Sequence, residues 1–492
     1  MQKSTQNRIS IAILALGGQG GGVLADWIQA VGRAHGWHVQ GTSVPGVAQR
    51  TGSTVYYVEI AKSESDQRPV LAQMPLAGDV DIVIASELME TGRAILRGFS
   101  TAERTTLIGS THRIYAIGEK SAMADGRSNS QRILEVAPER SKRFIGFDME
   151  AATERSGSVV SSVMFGALAG SGALPFPRES FEEAIRAGGK AVSSNLKGFA
   201  EGYTAANAQE VSVPRENQPE VPQPRTDAGK RLDARLQSEL PEAVWSFARH
   251  GVARLMDYQD AAYAAEYLDH LAGLAALDAA PYDLTREAAR HLALWMGYDD
   301  TIRVADLKVR ASRHTRVQNE VRLADGQLMN VTEFMHPRLQ EICETLPRQI
   351  GRGILNSPRL RRMLSPLFNK GRHVEVTSLR WFLLLRVMAG LRVIRRYSLR
   401  YHDEHVRIRA WLDTVQKAAH AGHLSLATEL VRCQLLIKGY GDTFERGLNN
   451  FEHVMQLYKS SKRKPEDMAE LVSGWREAAL SDPDGKALAK AG

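Results

Sequence analysis

The stretch Ile9-Ser10-Ile11-Ala12-Ile13-Leu14-Ala15-Leu16-Gly17-Gly18-Gln19-Gly20-Gly21-Gly22-Val23-Leu24 decides the fold. An apolar run ending at Leu16 opens into glycines and then into helix-spaced apolar residues, Val23, Leu24, Trp27, Ile28 and Val31. That order predicts a strand, a tight turn and the N-terminus of a helix. Glycine lets the backbone take positive φ and bring its N–H groups close to a ligand. The helix behind the turn adds unpaired donors and the positive end of its dipole, so the loop suits a phosphate or another anion. A second unusual loop follows, Val44-Pro45-Gly46-Val47-Ala48-Gln49-Arg50-Thr51-Gly52-Ser53. Together the loops point to a polyanionic ligand. The candidate binding residues are Gly17, Gly18, Gln19, Gly20, Gly21, Gly22, Gln49, Arg50, Gly52 and Ser53. A tight turn that binds nothing is the structural alternative.

Two familiar nucleotide sites do not fit. A dinucleotide fold wants Asp or Glu roughly twenty residues past the glycines, at the end of the second strand. The second strand here, Trp37 to Ser43, offers His38 and Gln40 but no carboxylate. A phosphate loop of the Walker type wants Gly-Lys-Ser/Thr, and Val23 and Leu24 stand there instead.

Strand-like runs alternate with helical ones as far as Tyr203. The expected strands are Ile9–Leu16, Val39–Ser43, Thr54–Ile60, Val80–Ser86, Thr105–Gly109 and Arg143–Asp148. Helices are expected at Val23–His35, Met89–Arg97 and Ser158–Gly170. The pattern predicts an α/β, doubly wound, mainly parallel sheet of Rossmann-like form, with its crevice at the carboxyl ends of the strands. Glu87 falls at that edge, where it could bond a ligand hydroxyl or amine, or cap the next helix. Residues 211–230, with Pro214, Pro219, Pro222 and Pro224 among polar residues, read as an extended linker. Residues 231–492 read as an α-helical domain, from helix-spaced sets such as Tyr258, Ala261, Ala262, Ala265, Tyr267, Leu268 and Leu379, Phe382, Leu383, Val387, Leu391. The expected division is therefore 1–210, 211–230 and 231–492.

The two loops, GGQGGG and VPGVAQRTGSTVYYVEI, resemble the gamma-type domain of the 2-oxoacid:ferredoxin oxidoreductases. The chain is more closely similar to the long proteobacterial form of the indolepyruvate ferredoxin oxidoreductase beta subunits. Ala116–Met123, Phe165–Pro175, Asn195–Tyr203 and, in the helical part, Lys438–Thr443 carry that likeness. Thr51 stands where many relatives have glycine. The resemblance implies a subunit of an enzyme that oxidatively decarboxylates an aryl 2-oxoacid to an aryl-acetyl-coenzyme A, with ferredoxin as electron acceptor. It implies that thiamine diphosphate, magnesium and 4Fe–4S clusters sit on a large alpha subunit. This chain would help form the coenzyme A side of the site, with Gly18 to Gly22 meeting phosphates, Gln19 pointing its amide into the crevice and Arg50 pairing with phosphate or with the partner.

The remaining residues are consistent with a chain that lacks the chemistry itself. Cys343 and Cys433 are the only cysteines, whereas an iron–sulfur cluster usually takes four. The Gly-Asp-Gly and distant Asn-Asn of thiamine enzymes are imitated only by Gly441-Asp442 and Asn449-Asn450, which are too close together. No HExxH occurs, and His402 and His405 beside Asp403 and Glu404 read as a solvated face. No apolar run reaches the ~18 residues of a membrane span. Lys3 and Arg8 ahead of a short apolar run superficially suggest a signal peptide, but the run makes a better first strand, and a cytoplasmic location is expected. The composition, 43% apolar and 24% charged, supports real cores. At one domain per ~150 residues the length gives two to four domains. Arginines crowd the helical half at 348, 352, 359, 361, 362, 372, 380, 386, 392, 395, 396, 400, 407 and 409. No nucleic-acid motif accompanies them, which leaves a solvated or intersubunit face, or a dock for acidic ferredoxin.

Overall fold

The computed structural model describes residues 8–491 except 45–52, 63–68, 116–118, 120–128, 209–219, 322, 324–325, 337, 369–370, 440 and 483. The chain divides into two compact units, Met1–Gln218 and Pro219–Gly492.

The first unit is built on six strands: β1 Arg8–Leu16, β2 His38–Val44, β3 Ser53–Ala61, β4 Ile82–Ala85, β5 Thr106–Ser110 and β6 Arg143–Phe147. Their order in the sheet is β2-β3-β1-β4-β5-β6. The β1–β4, β4–β5 and β5–β6 pairs are parallel, while β3 runs antiparallel to both β1 and β2. The expected α/β, mainly parallel sheet is therefore present, each strand within two residues of its expected bounds. Strand β1 alternates. Ile9, Ile11, Ile13 and Ala15 enter one core, and Ala12 and Leu14 enter another on the opposite face. Helices α1 (Gly21–Ala34), α2 (Leu88–Leu96), α3 (Ser130–Glu139), α4 (Met149–Ser156), α5 (Val160–Ser171), α6 (Arg178–Ala187) and α7 (Val192–Asn207) complete the unit. The first core takes in α1 and α4 to α7, and the second takes in α2 and α3.

Helix α5 is buried from Val160 through Leu168, as an apolar helix without a polar face must be. It meets α7 through glycines on both helices. A Cβ added at Gly166 would lie 2.0 Å from the Phe199 carbonyl oxygen, and one at Gly202 would lie 2.0 Å from that of Val163. Gly170 and Gly198 are similarly closed, at 2.5 Å from the Tyr203 oxygen and 2.2 Å from Ser158 Oγ. The two backbones are in contact. This fixes where α5 begins.

The second unit is helical, as expected, around a core containing Trp295, Trp411, Tyr258, Tyr263 and Tyr267. It also carries a small sheet, β7 (Thr332–Met335) paired antiparallel with β8 (Arg372–Glu375), which the sequence reading missed. Its first helix, Asp227–Glu239, is capped by Thr226 and takes in the last four positions of the stretch read as linker. Two further expectations need correction. Glu404 and His405 do not lie on a solvated face. Glu404 is fully buried, accepts from Trp295 Nε1 at 2.8 Å and pairs with Arg400 and Arg407. His405 stacks on Tyr401 and bonds the Tyr263 hydroxyl at 2.8 Å. The stripe of Leu379, Phe382, Leu383 and Val387 is exposed, and the helix Leu379–Gly390 instead buries Leu385 and Ala389. Among the described residues no helix is long and apolar enough to cross a membrane.

The α5–α7 contact makes a direct prediction. Gly202→Ala forces a methyl into the Val163 carbonyl and should cost about 1–3 kcal/mol of unfolding free energy. Gly474→Ala, in the helix Pro465–Ser481 where an added Cβ meets nothing within 4 Å, should instead gain about 0.5–1 kcal/mol. Denaturant titration of both variants checks the pair, and equal effects would contradict the close approach.

Candidate functional site

The topology places the crevice where β1 sends the chain one way, through α1 to β2, and β4 lies on its other side. At that edge Gly18 turns the chain with φ +90° and Gly20 caps α1 with φ +70°, both in the left-handed region. Gly21 is glycine for another reason, since a Cβ there would lie 2.5 Å from the Tyr56 ring and 2.9 Å from the Ala15 methyl. Gly17 and Gly18 are exposed, and no atom lies within 4 Å of a Cβ added at Gly18. Gly22 faces the edge of Tyr56 at 3.4 Å.

Gln19 folds back on the sheet. Its Oε1 accepts from the Leu16 N–H at 3.1 Å and from the Ser86 hydroxyl, which ties the end of β1 to the end of β4. Only its Nε2 is left to face a ligand. Gln49, Arg50 and Gly52 lie outside the described residues. Leu16 pairs with Ser53, so the second loop leaves from β2 and enters β3 at the same sheet edge as the glycine turn.

The first turn of a second helix meets the glycine turn. A Cβ on Gly20 would lie 2.8 Å from Ser161 Oγ, in the first turn of α5. No side chain caps α1 at Gly20 or α5 at Val159. Both sets of first-turn donors and both positive dipole ends are therefore uncompensated by side chains. Ser161 is 1% exposed, and among the described residues its hydroxyl makes no hydrogen bond. Thr111, directly after β5 at the same edge of the sheet, has a buried Oγ1 without a partner among the described residues, which is uncommon in folded proteins. None of Ser86, Thr111 and Ser161 is marked out in the sequence. The only local signal for Ser161 is a helix that starts at Val160 behind Val159, a cap residue without a side-chain oxygen.

Of the two roles open to Glu87, the structure gives it the cap. Its carboxylate accepts from Met89 N–H at 2.9 Å, Glu90 N–H at 2.7 Å and Ile114 N–H at 3.4 Å, and it is 1% exposed. Glu119, in one of the stretches that carried the family likeness, is held by Arg113 just beyond β5. Neither cysteine is poised to react. Both are buried, and burial pushes the Cys433 thiol up to about 12 and the Cys343 thiol up as well.

Residues 10–205 match the family described as pyruvate ferredoxin/flavodoxin oxidoreductase. That match spans most of the first unit and accords with the resemblance carried by its two loops. Over 206 residues the chain is 29% identical to indolepyruvate oxidoreductase subunit IorB of Archaeoglobus fulgidus, covering 40% of this chain and 96% of that one. The subunit of the same name from Pyrococcus horikoshii is 28% identical over 202 residues, covering 40% and 95%. The likeness is thus to IorB-type subunits. Among solved structures, pyruvate oxidoreductase subunit PORC of Thermotoga maritima aligns with a TM-score of 0.29 and 15% identity, covering 40% of this chain and 97% of that one. The 2-oxoglutarate:ferredoxin oxidoreductase of Magnetococcus marinus, with 2-oxoglutarate, coenzyme A and succinyl-CoA bound, gives 0.30 and 16%, covering 42% and 32%. Residues 244–457 match a family of unknown function (DUF6537), which contains Lys438–Thr443.

The Glu87 cap has a pH signature. Burial raises its carboxyl above the ordinary range, with Glu90 adding to the rise against three backbone donors. A folded-state value above the unfolded one means that stability falls as pH rises from the ordinary carboxylate range through the raised value. Glu87→Gln keeps an acceptor for the amides and removes the charge. Its urea midpoint should gain on the wild type as pH rises from about 4.5 to 7, starting from the unfolded carboxylate value. A difference independent of pH would mean that the carboxylate is not desolvated.

Proposed function

We propose that this chain is the coenzyme A-side subunit of an indolepyruvate, or other aryl 2-oxoacid, ferredoxin oxidoreductase. The enzyme releases carbon dioxide and forms an aryl-acetyl-coenzyme A, and it is active only as a complex. The observation that carries this reading is the meeting of two helix N-termini, neither capped by a side chain, at Gly20 and Ser161. Such a junction offers fixed N–H donors and positive potential to a phosphate. The relatives named as indolepyruvate oxidoreductase subunits supply the substrate class.

The division of labour follows from what this chain holds. Thiamine diphosphate with magnesium, and 4Fe–4S clusters, supply decarboxylation and one-electron transfer from the large alpha subunit. The residues here bind and orient. Backbone N–H groups from Gly18 to Gly22 and the Ser161 hydroxyl donate to phosphate oxygens of coenzyme A. Gln19 holds the turn against Ser86 with its carbonyl oxygen and leaves Nε2 for the ligand. Arg50 pairs with phosphate or with the partner. Ferredoxin takes the electrons, and a cytoplasmic location suits that chemistry.

A second reading, a scaffold subunit with nothing bound at the turn, is favoured by Gly21, which Tyr56 packing alone explains, and by the engaged Gln19 oxygen. Kinetics of the assembled complex separate the two. Gly20→Val strains a left-handed residue and drives a branched side chain into Ser161. Arg50→Ala removes a charge-assisted contact of about 1.5–3 kcal/mol. That energy corresponds to a ten- to hundredfold weakening. Both variants should raise the apparent KM for coenzyme A in that direction while thiamine-dependent decarboxylation continues, and Ser161→Ala should do so to a smaller extent. Co-purification controls for assembly. If the variants assemble and the coenzyme A requirement does not move, the scaffold reading stands.

A further inference from the structure

The second unit exposes apolar surface where a folded chain should not. The helix Leu379–Gly390 is apolar on both sides. One side, with Leu385, Ala389 and the partly covered Trp381 and Met388, packs on Val374, Val376 and Ala305. The other side presents Leu379 at 74%, Leu383 at 52%, Leu384 at 47% and Val387 at 66% exposure, flanked by Phe382. The 3-10 turn that follows, Leu391–Tyr397, adds Val393 and Tyr397. A helix that is apolar all round is normally buried all round, and contiguous exposed apolar patches mark interaction sites.

The charge around this face indicates what covers it. Between Glu375 and Asp403 the sequence contains no carboxylate. Its arginines fall into two groups. Arg392, Arg395, Arg396 and Arg400 turn inward, where Arg395 pairs with Asp300, Arg396 with Asp260 and Glu266, and Arg400 with Glu344 and Glu404, while Arg392 bonds the Met256 and Gln259 carbonyl oxygens. Arg380 and Arg386, on the apolar helix itself, enter no ion pair among the described residues, and Arg380 lies over the Trp381 ring. The wider stretch 346–390 has nine Lys or Arg against the single acid Glu375. Two such faces would repel each other. A surface that is apolar at its centre and carboxylate-rich at its rim fits.

We propose that the face centred on Leu383 and Val387 docks on a different polypeptide of the same enzyme, the large subunit, through an apolar patch ringed by Asp and Glu. This rests on the subunit reading above. It also explains what the second unit adds. The oxidoreductase family match ends at residue 205, so this face lies outside it.

The test uses the full chain and the thiamine- and iron–sulfur-bearing subunit. Binding of the wild-type pair tests the subunit reading, because failure of that pair to associate removes the reading and leaves the face unassigned to this partner. With the wild-type pair bound, Leu383→Asp and Val387→Asp should each weaken association about tenfold or more. Arg380→Glu with Arg386→Glu should weaken it most at low salt. Circular dichroism and melting temperature of the free variants control for folding. Carbene footprinting should label Leu383 and Val387 in the free chain and show protection in the complex. Unchanged affinity of folded variants overturns the proposal. So does a free chain that dimerises through these residues by light scattering, protection of the face in the free monomer, or capture by phosphatidylglycerol vesicles that Leu383→Asp abolishes while subunit affinity is untouched.

Discussion

Two helices can approach until their backbones touch only where side chains are missing, and the first unit depends on one such approach. Gly166 and Gly170 of α5 lie against the carbonyl oxygens of Phe199 and Tyr203, while Gly202 of α7 lies against that of Val163. With no side-chain volume between them, the position of α5 along α7 is set to within the few tenths of an ångström that a van der Waals contact allows. The first turn of α5 is thereby brought to Gly20. The glycine turn alone is an ordinary strand-to-helix connection. With Ser161 and a second dipole end aimed at it, it becomes a concentrated source of donors. The likeness carried by Phe165–Pro175 and Asn195–Tyr203 thus has a mechanical meaning, because those segments contain all four glycines of the contact, Gly166, Gly170, Gly198 and Gly202.

The second unit solves a different problem, the burial of charge. Arg395 and Asp300 are both nearly inaccessible and are joined at 2.8 Å, with the Tyr258 carbonyl and the Gln259 side chain taking further guanidinium donors. Removing either partner would leave a buried charge uncompensated, which is far more costly than the net worth of the pair. These residues are therefore structural, although in the sequence they belong to the same basic run as Arg380 and Arg386. Burial divides the run in two. One half cross-links helices, and the other is left facing outward.

Most of the α/β unit was legible because strand and helix periods are local. Ile9 to Leu16 reads as a strand from its own composition, and the glycines behind it announce the turn. The position of β3 between β2 and β1 was not legible, since alternation along Thr54–Ile60 fixes faces but not neighbours. The site was half legible. Gly18 and Gly20 were marked by residue type, whereas the place of Ser161 and the orientation of Gln19 depend on contacts across more than sixty positions of chain. The helix Leu379–Gly390 failed for a further reason. When both sides of a helix are apolar, the 3.6-residue period contains no information about which side the chain itself covers. The pairs β7 and β8, four residues each, are too short for a period to register.

The chemistry this chain can perform follows from what its polar groups are already doing. Glu87 is occupied by three amides, Glu119 by Arg113, and both thiols are buried and pushed away from the thiolate. Among the described residues at the crevice, the first-turn amides of α1 and α5 have no side-chain cap and the Thr111 hydroxyl has no partner. Donors fixed in place stabilise negative charge and hold phosphate, but they neither abstract protons nor carry electrons. Donors of this kind contribute binding energy and position to a bound anion. The second unit adds an exposed apolar face at Leu379, Leu383 and Val387, with the exposed Arg380 and Arg386 on the same helix.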